Sequence, residues 1–230
     1  MTESARRLDR GSAQEAILDA AELVFAEHGY DGASTRAIAE RAGVNQALIH
    51  YHFRTKEQLF EAAFTGPAQA INAERRALLD ALGPGRPVLE KVLAAFLLPT
   101  VRLGHDGGAA GAAYARLVVH VASGTDARSR RLTAAQYDPI AREFIAAICA
   151  ALPGLDRAAA VEGYLHAVAI GVAMTAPTNR AAGLGGRDLT TESAEERVTR
   201  AVVFIAAGLR AMAAAQADQE PTENKEEIHS

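Results

Sequence analysis

The 230-residue sequence is poor in the features that mark secreted, disulfide-bonded and membrane-spanning proteins. Its one cysteine excludes an internal disulfide and is typical of a reducing cytoplasm. No run of about 18 uninterrupted apolar residues occurs, and the first residues lack the apolar core of a signal peptide. Aromatic residues make up only 5% of the chain, whereas apolar residues make up 49%. These properties predict closely packed helices in a cytoplasmic protein that does not bind a membrane.

Basic charge is also scarce. The formal net charge is −4 and the pI is about 6.0, which argues against a protein that binds nucleic acid through charge alone. Basic side chains nevertheless flank residues 45–53, at Arg36, Arg54 and Lys56. The charge pattern is therefore compatible with sequence-specific DNA binding that has a weak non-specific component.

Residues 34–53 have the pattern of two short helices joined by a tight turn. Ser34 is a favourable N-cap for the first helix, and Asn45 is a favourable N-cap for the second. Gly43 stands where a left-handed residue ends a helix without steric cost. The second helix turns Ile49 inward and leaves small or hydrogen-bonding groups outward. This pattern predicts a helix-turn-helix with a recognition helix.

The same stretch resembles the tetracycline-repressor (TetR) family over residues 12–64. The resemblance is carried by the segments Thr35-Arg36-x-Ile38-Ala39, Ala42-Gly43-Val44 and His50-Tyr51-His52-Phe53-x-Thr55-Lys56-x-x-Leu59. Two positions depart from the common family pattern, Leu48 and His50. Both lie on the recognition helix, so they bear on the operator sequence rather than on membership.

The resemblance implies an all-α fold of about nine helices, with an N-terminal three-helix helix-turn-helix domain and a larger C-terminal helical domain for effector binding and dimerisation. The expected boundaries are 1–11 for a flexible arm, 12–54 for the DNA-binding domain, 55–214 for the C-terminal domain and 215–230 for a disordered acidic tail. It implies a homodimeric, ligand-responsive repressor of double-stranded operator DNA. The residues expected to touch DNA are Thr35, Arg36, Gln46, Ala47, Leu48, His50, Tyr51, His52 and Lys56.

Two stretches of the C-terminal part leave alternatives open. Gly66-Pro67 interrupts the fourth helical pattern, because proline removes an amide donor, and it is either a functional hinge or a plain helix break. The last helix has apolar residues at steps of four and three, a spacing typical of a helix–helix seam. That seam is either internal core or, as the resemblance implies, the dimer interface. Its residues are Val198, Val202, Ile205, Leu209 and Met212.

An effector pocket is expected among the C-terminal helices, from polar or soft side chains in apolar surroundings. Arg116 stands out because a buried guanidinium requires an anionic partner. The expected effector is small and largely apolar, and its first candidate is an anionic, fatty-acid-like molecule. The candidate pocket residues are Phe96, Tyr114, Arg116, His120, Tyr164, His166 and Met174.

The sequence indicates no cofactor, metal site or enzymatic activity. The histidines lack paired ligand spacing, and no nucleophile–base set or phosphate-binding glycine loop is present. Two other interpretations remain open: a helical small-molecule-binding or interaction protein that has lost DNA readout, and a helical enzyme using His120 or His166.

Overall fold

The computed structural model describes residues 3–175, 180–186 and 188–218, and over these residues the chain is all-α. This confirms the predicted fold class, with ten α-helices in the described part of the chain. A 3-10 turn, Leu189–Thr191, precedes the last helix. The helices are α1 Glu3–Gly32, α2 Thr35–Ala42, α3 Gln46–Phe53, α4 Lys56–Asp80, α5 Leu89–Asp106, α6 Gly108–Ser123, α7 Ala127–Ala151, α8 Arg157–Thr175, α9 Arg180–Gly183 and α10 Ala194–Ala217.

The caps of α2 and α3 are those predicted from the sequence. The Ser34 hydroxyl accepts a bond from the amide of Ala37, and the Asn45 side chain accepts one from the amide of Ala47. Gly43 has φ 66° and ψ 27°, the left-handed conformation that ends α2. Local signals therefore determine the helix-turn-helix geometry.

The first helix differs from the prediction at its start. It begins at Glu3, within the expected 1–11 arm, because residues 3–10 contain mainly good helix formers and no proline. The helical conformation is broken at Gly29, with φ 66° and ψ −179°.

The fourth helix passes through Gly66-Pro67 without a break, which corrects the predicted interruption. Proline removes one helical hydrogen bond from this turn. A tertiary contact supports the helix here, since the Tyr114 hydroxyl donates to the Phe64 carbonyl at 3.2 Å. The packing of α6 against α4 therefore adds a contact at this turn.

Two apolar cores fill the chain. One core joins α1–α4 to residues of α6 and α7, including Tyr114, Leu117 and Leu132. The other lies among α5, α7, α8 and α10. The helix-turn-helix is therefore packed on the C-terminal helices, and α6 contributes to its core.

By length and composition, α8 and α10 are two helices that satisfy a membrane-span criterion. In this structure both pack against α5 within the C-terminal core. The predicted tail begins inside α10, which ends at Ala217, and residues 219–230 lie outside the described residues. Helix α9 and the 3-10 turn lie between α8 and α10.

Candidate DNA-binding surface and effector cavity

Helix α3 presents one face to the core and one to solvent. Ile49 and Phe53 are buried, at 2% and 6% exposed. Gln46, Ala47 and His50 are exposed on the other side. Tyr51 is 65% exposed, an unusual position for a large aromatic ring, and is available to a partner.

Two polar side chains at the start of this surface are already oriented. The Gln46 side-chain amide donates to the Thr35 hydroxyl at 2.9 Å, which joins α3 to the first residue of α2. Arg36 donates to Glu40 at 2.9 Å and is otherwise exposed. Because both contacts are at the surface, the same groups are accessible to base edges and phosphates.

Three other predicted DNA-binding residues are only partly exposed. Leu48 packs partly against the N-terminal core. The Nε2 atom of His52 is buried and has no hydrogen-bond partner among the described residues, so it does not face a phosphate in this conformation. The Lys56 ammonium lies 4.5 Å from the Tyr30 ring centroid and 3.4 Å from the Asp31 carbonyl.

The C-terminal helices enclose a largely apolar cavity of about 310 Å³. This volume lies at the lower end of the range, about 300–1,000 Å³, that is typical of small-molecule sites. Five helices contribute to it, α4 to α8. The lining residues are Arg75, Phe96, Thr100, Val118, Ala122, Thr133, Tyr137, Asp138, Ala141, Arg142, Ile145, Val161, Tyr164, Leu165, Val168, Gly171 and Val172.

Arg75 is the buried charge of this cavity, with only 7% of the residue exposed. Its Nε donates to the Phe96 carbonyl at 2.9 Å, and its terminal nitrogens donate to Asn72 and Thr100 at 3.2 Å and 2.8 Å. The guanidinium carbon lies 4.4 Å from the Phe96 ring centroid. Burial lowers the pKa of Arg75, because the charged form has lost its water.

Two phenols complete the polar part of the wall. Burial raises the pKa of Tyr164 to about 12 and also raises the pKa of Tyr137, so both remain protonated donors. The Tyr137 hydroxyl lies 3.5 Å from that of Tyr114, whose hydroxyl donates to the Phe64 carbonyl of α4. The cavity wall is therefore in contact with the helix that follows the helix-turn-helix.

The predicted pocket residues separate into three groups. Phe96 and Tyr164 line the cavity. Tyr114 is buried directly behind it, at 1% exposed, and contacts Tyr137. The remaining assignments are corrected as follows: Arg116 and His120 are exposed on α6, His166 is exposed on α8, and Met174 packs partly against the C-terminal core without lining the cavity.

The prediction missed Arg75, Thr100 and Tyr137 as pocket residues. A signal for Arg75 was present, because it occupies an apolar step between Ile71 and Leu78 of α4, where a charge has to be buried. Arg116 is exposed because it lies on the side of an apolar helix that the neighbouring helices leave open.

The predicted seam of α10 faces the chain's own core. Val198, Val202, Ile205 and Leu209 are 1–5% exposed and belong to the cluster formed with α5 and α8, while Met212 is partly buried there. Val198 and Val202 are covered by the chain's own core, and Ile205, Leu209 and Met212 lie at the floor of a surface groove, so the burial favours internal core for most of this stripe and corrects its assignment as a whole to the interface. The strongest apolar stripe of α10 is used within the chain.

A different face of α8 and α10 is apolar and exposed. Phe204 and Val203 of α10 are 73% and 64% exposed. An apolar groove of about 570 Å³ lies between the two helices. It is lined by Gly163, His166, Ala169, Ile170, Phe204, Ile205, Ala207, Gly208, Leu209, Ala211 and Met212.

Within the described residues, no group of three or more His, Cys, Asp and Glu side chains is arranged to hold a metal ion. His120 and His166 lie on different helices and line different surface depressions. Cys149 is half-buried and reduced.

A helix-turn-helix joined to an α-helical domain with an apolar cavity is the architecture of a class of ligand-binding transcriptional regulators rather than of enzymes. Two family models match the chain: "Bacterial regulatory proteins, tetR family" over residues 17–63, and "Tetracyclin repressor-like, C-terminal domain" over residues 94–208. The chain therefore belongs to the TetR family of transcriptional regulators.

Individual relatives agree with this assignment over different lengths. The transcriptional repressor AcnR of Corynebacterium efficiens is 43% identical over 51 residues, which are 22% of this chain and 27% of the relative. The chain thus spans about a quarter of the length of such curated relatives.

Solved structures show the fold over nearly the whole chain. A putative fatty acid metabolism regulator from Clostridium perfringens has a TM-score of 0.60 at 18% identity, covering 84% of this chain and 97% of its own. AibR, solved with isovaleryl coenzyme A and operator DNA, has a TM-score of 0.61 at 18% identity with the same coverage.

Proposed function

We propose that this chain is a homodimeric repressor that binds a near-palindromic operator and releases it when a small, largely apolar effector enters the cavity. One observation carries the proposal: a single chain has both an open recognition face on α3 and an apolar cavity whose wall contacts α4. The AibR complex contains a ligand and operator DNA together, which supports the same combination here.

The DNA contact is assigned to the exposed side of α3. Gln46 and Arg36 have side chains able to form bidentate bonds with adenine and guanine, each worth about 1–3 kcal/mol of discrimination. His50 and Ala47 lie beside Gln46 on the same exposed face. Thr35, Tyr51 and Lys56 border that face and are assigned to phosphates, which set register rather than sequence preference.

Dimerisation is assigned to the exposed apolar face of α8 and α10. Val203 and Phe204 are exposed, and Phe204 continues into the apolar groove, which makes a contiguous apolar patch of the kind that marks interaction sites. Pairing this face with its copy about a two-fold axis would bury them and place two α3 helices in successive major grooves. Their centres would then lie about 34–36 Å apart on the duplex.

Signal transfer is assigned to the contacts between α4 and α7. Asn72 donates to the Gln136 carbonyl at 2.7 Å, and Arg76 pairs with Glu143 at 2.6 Å. Nearer the DNA-binding end, Arg131 of α7 pairs with Glu57 and Glu61 of α4. Since α7 also lines the cavity, a ligand that moves α7 would move α4 and change the spacing of the two α3 helices.

A competing function is a ligand-binding protein that no longer reads DNA. The net charge of −4 and the partial burial of Leu48 and His52 favour it. It keeps the cavity and the dimer and predicts no preferred duplex sequence.

The test that separates the two is selection of random duplex DNA by the folded, purified protein. We expect an enriched palindromic sequence whose affinity falls steeply with salt. Recovery of random sequences by a protein that is folded and dimeric would favour the competing function.

Two variants then test which side chain recognises the enriched sequence and which contacts the phosphates. Gln46→Ala is expected to reduce the preference for that sequence, whereas Lys56→Ala is expected to weaken cognate and random duplexes alike and to lower the salt slope. Equal effects of both changes on both kinds of duplex would contradict the assignment of roles.

A further inference from the structure

Arg75 has no ion-pair partner among the described residues. Its guanidinium carries five N–H donors, and the described contacts use one on each nitrogen, all with neutral acceptors. One N–H on each terminal nitrogen therefore has no acceptor among the described residues. No carboxylate of those residues lies within the 4.0 Å ion-pair distance of this group. A buried cation in this state is costly unless something anionic joins it.

The rest of the cavity wall carries no net charge and is largely apolar. The other charged lining residues are Asp138 and Arg142, which lie 3.7 Å apart, pair with each other and are at least half exposed. Their charges cancel, so the cavity retains the single positive charge of Arg75. Beyond it the wall is aliphatic, with Val118, Ile145 and Val168.

This inference rests on the effector site proposed above. We propose that the cavity binds a small monoanionic amphiphile, with its carboxylate on Arg75 and its hydrocarbon part among the valines and isoleucine. Arg75 is thus the residue that sets effector class. Thr100 and Tyr164 border the same end of the cavity and have hydroxyls able to share the carboxylate. A volume of about 310 Å³ matches a short or medium acyl chain and is too small for a whole coenzyme A thioester.

Arg75 belongs to α4, which gives this position a second consequence. A carboxylate on the two remaining N–H groups would share the guanidinium with the Phe96 and Thr100 oxygens. Those oxygens belong to α5, so the ligand would bind at the contact between α4 and α5.

The test compares charged and neutral probes of the same shape by calorimetry on the full chain. The probes are straight-chain carboxylates from butanoate to dodecanoate and the matching primary amides. We expect at least one carboxylate to bind about tenfold or more tightly than its amide, because charge-assisted hydrogen bonds are the stronger ones. Arg75→Gln should remove this preference, so that each carboxylate and its amide bind with similar affinity.

A matched variant shows whether the loss of any nearby arginine has the same effect. Arg76→Gln removes a neighbouring exposed arginine that does not line the cavity, and it should keep the carboxylate preference. The wild-type comparison of acid and amide is decisive without any variant.

Three results would overturn the inference. Equal binding of acids and amides would show an apolar site without anion recognition, and tighter binding of octanoyl coenzyme A than of octanoate would assign the charge to a thioester ligand. Binding of no probe by a protein that still binds its selected duplex would exclude this ligand class and leave the DNA-binding proposal standing.

Discussion

The hydroxyl of Tyr137, in the cavity wall, lies 3.5 Å from the hydroxyl of Tyr114, which donates to the Phe64 backbone carbonyl at 3.2 Å. This carbonyl belongs to the turn of α4 that contains Gly66-Pro67, where one helical hydrogen bond is missing. Two phenols thus connect the cavity wall to the proline-containing turn of the helix that follows the DNA-binding domain. In the proposed function, this contact is a route from a ligand in the cavity to α4.

Tyr114→Phe removes this link and changes little else. Burial raises the pKa of Tyr114, so its hydroxyl is a neutral donor and its loss leaves the Phe64 carbonyl without that bond. We expect a loss of about 1 kcal/mol in the free energy of unfolding, measured in urea. Tyr51→Phe, at an exposed position of α3, is the matched control and should change stability by less than about 0.5 kcal/mol. If Tyr114→Phe loses no more free energy of unfolding than Tyr51→Phe, the Tyr114 hydroxyl does not stabilise the fold.

Glu22 makes stability depend on pH. Its pKa is raised to about 7 by desolvation and by the charge of Asp19. In the unfolded chain the carboxyl returns to its ordinary pKa of 4.5, so between pH 4.5 and about 7 the folded protein holds a proton that the unfolded chain has lost. Stability from this group therefore falls as pH rises through that window.

Glu22→Gln removes the titration. Its melting temperature should exceed that of the wild type at pH 8 and approach it at pH 5. Glu15→Gln, on an exposed part of the same helix, should show no such difference between the two pH values. A Glu22→Gln advantage that is the same at both pH values would contradict the assigned titration.

Two helical glycines differ in the space around them. A Cβ on Gly104 would overlap the Thr175 carbonyl oxygen, where α5 meets the end of α8, and a backbone atom has little freedom to move. A Cβ on Gly66 would meet nothing within 4 Å apart from its chain neighbours. We expect Gly104→Ala to destabilise by about 1–3 kcal/mol through overpacking. Gly66→Ala should change stability by less than about 0.5 kcal/mol, because the gain in helix propensity is offset by contact of the new Cβ with the ring of Pro67. Urea unfolding measures both, and equal losses from both changes would refute this description of the packing.

The exposed face of α10 has its own test. Phe204→Asp places a charge on the 73% exposed ring position and should convert the dimer to monomer in sedimentation experiments, with loss of operator binding. Val88→Asp alters another exposed apolar residue, 53% exposed at the start of α5, and should leave the dimer intact. An unchanged mass for Phe204→Asp would move the interface elsewhere.

The helix-turn-helix was predictable because its signals are local. Ser34, Gly43 and Asn45 each act within four residues of their own position, and the structure has all three in the predicted roles. The start of α1 was predicted less well, because several positions before Ser12 are equally good helix formers.

The cavity was less predictable because burial depends on which face of a helix its neighbours cover. Phe96 and Tyr164 line the cavity, yet Arg116 and His166, on equally apolar helices, are exposed. The α10 stripe shows the same limit, since a seam of Val198 and Val202 suits an internal contact as well as a dimer. Sequence spacing identifies a face but does not identify what packs on it.

The most direct test of the account is operator affinity with the cavity empty and occupied. The selected duplex is titrated by fluorescence anisotropy without ligand and with a saturating concentration of the carboxylate that binds most tightly. The account predicts an affinity lowered by about 5–150-fold, with the same factor lost from carboxylate affinity when the operator is bound. An operator affinity that is unchanged by full occupancy of the cavity would contradict it.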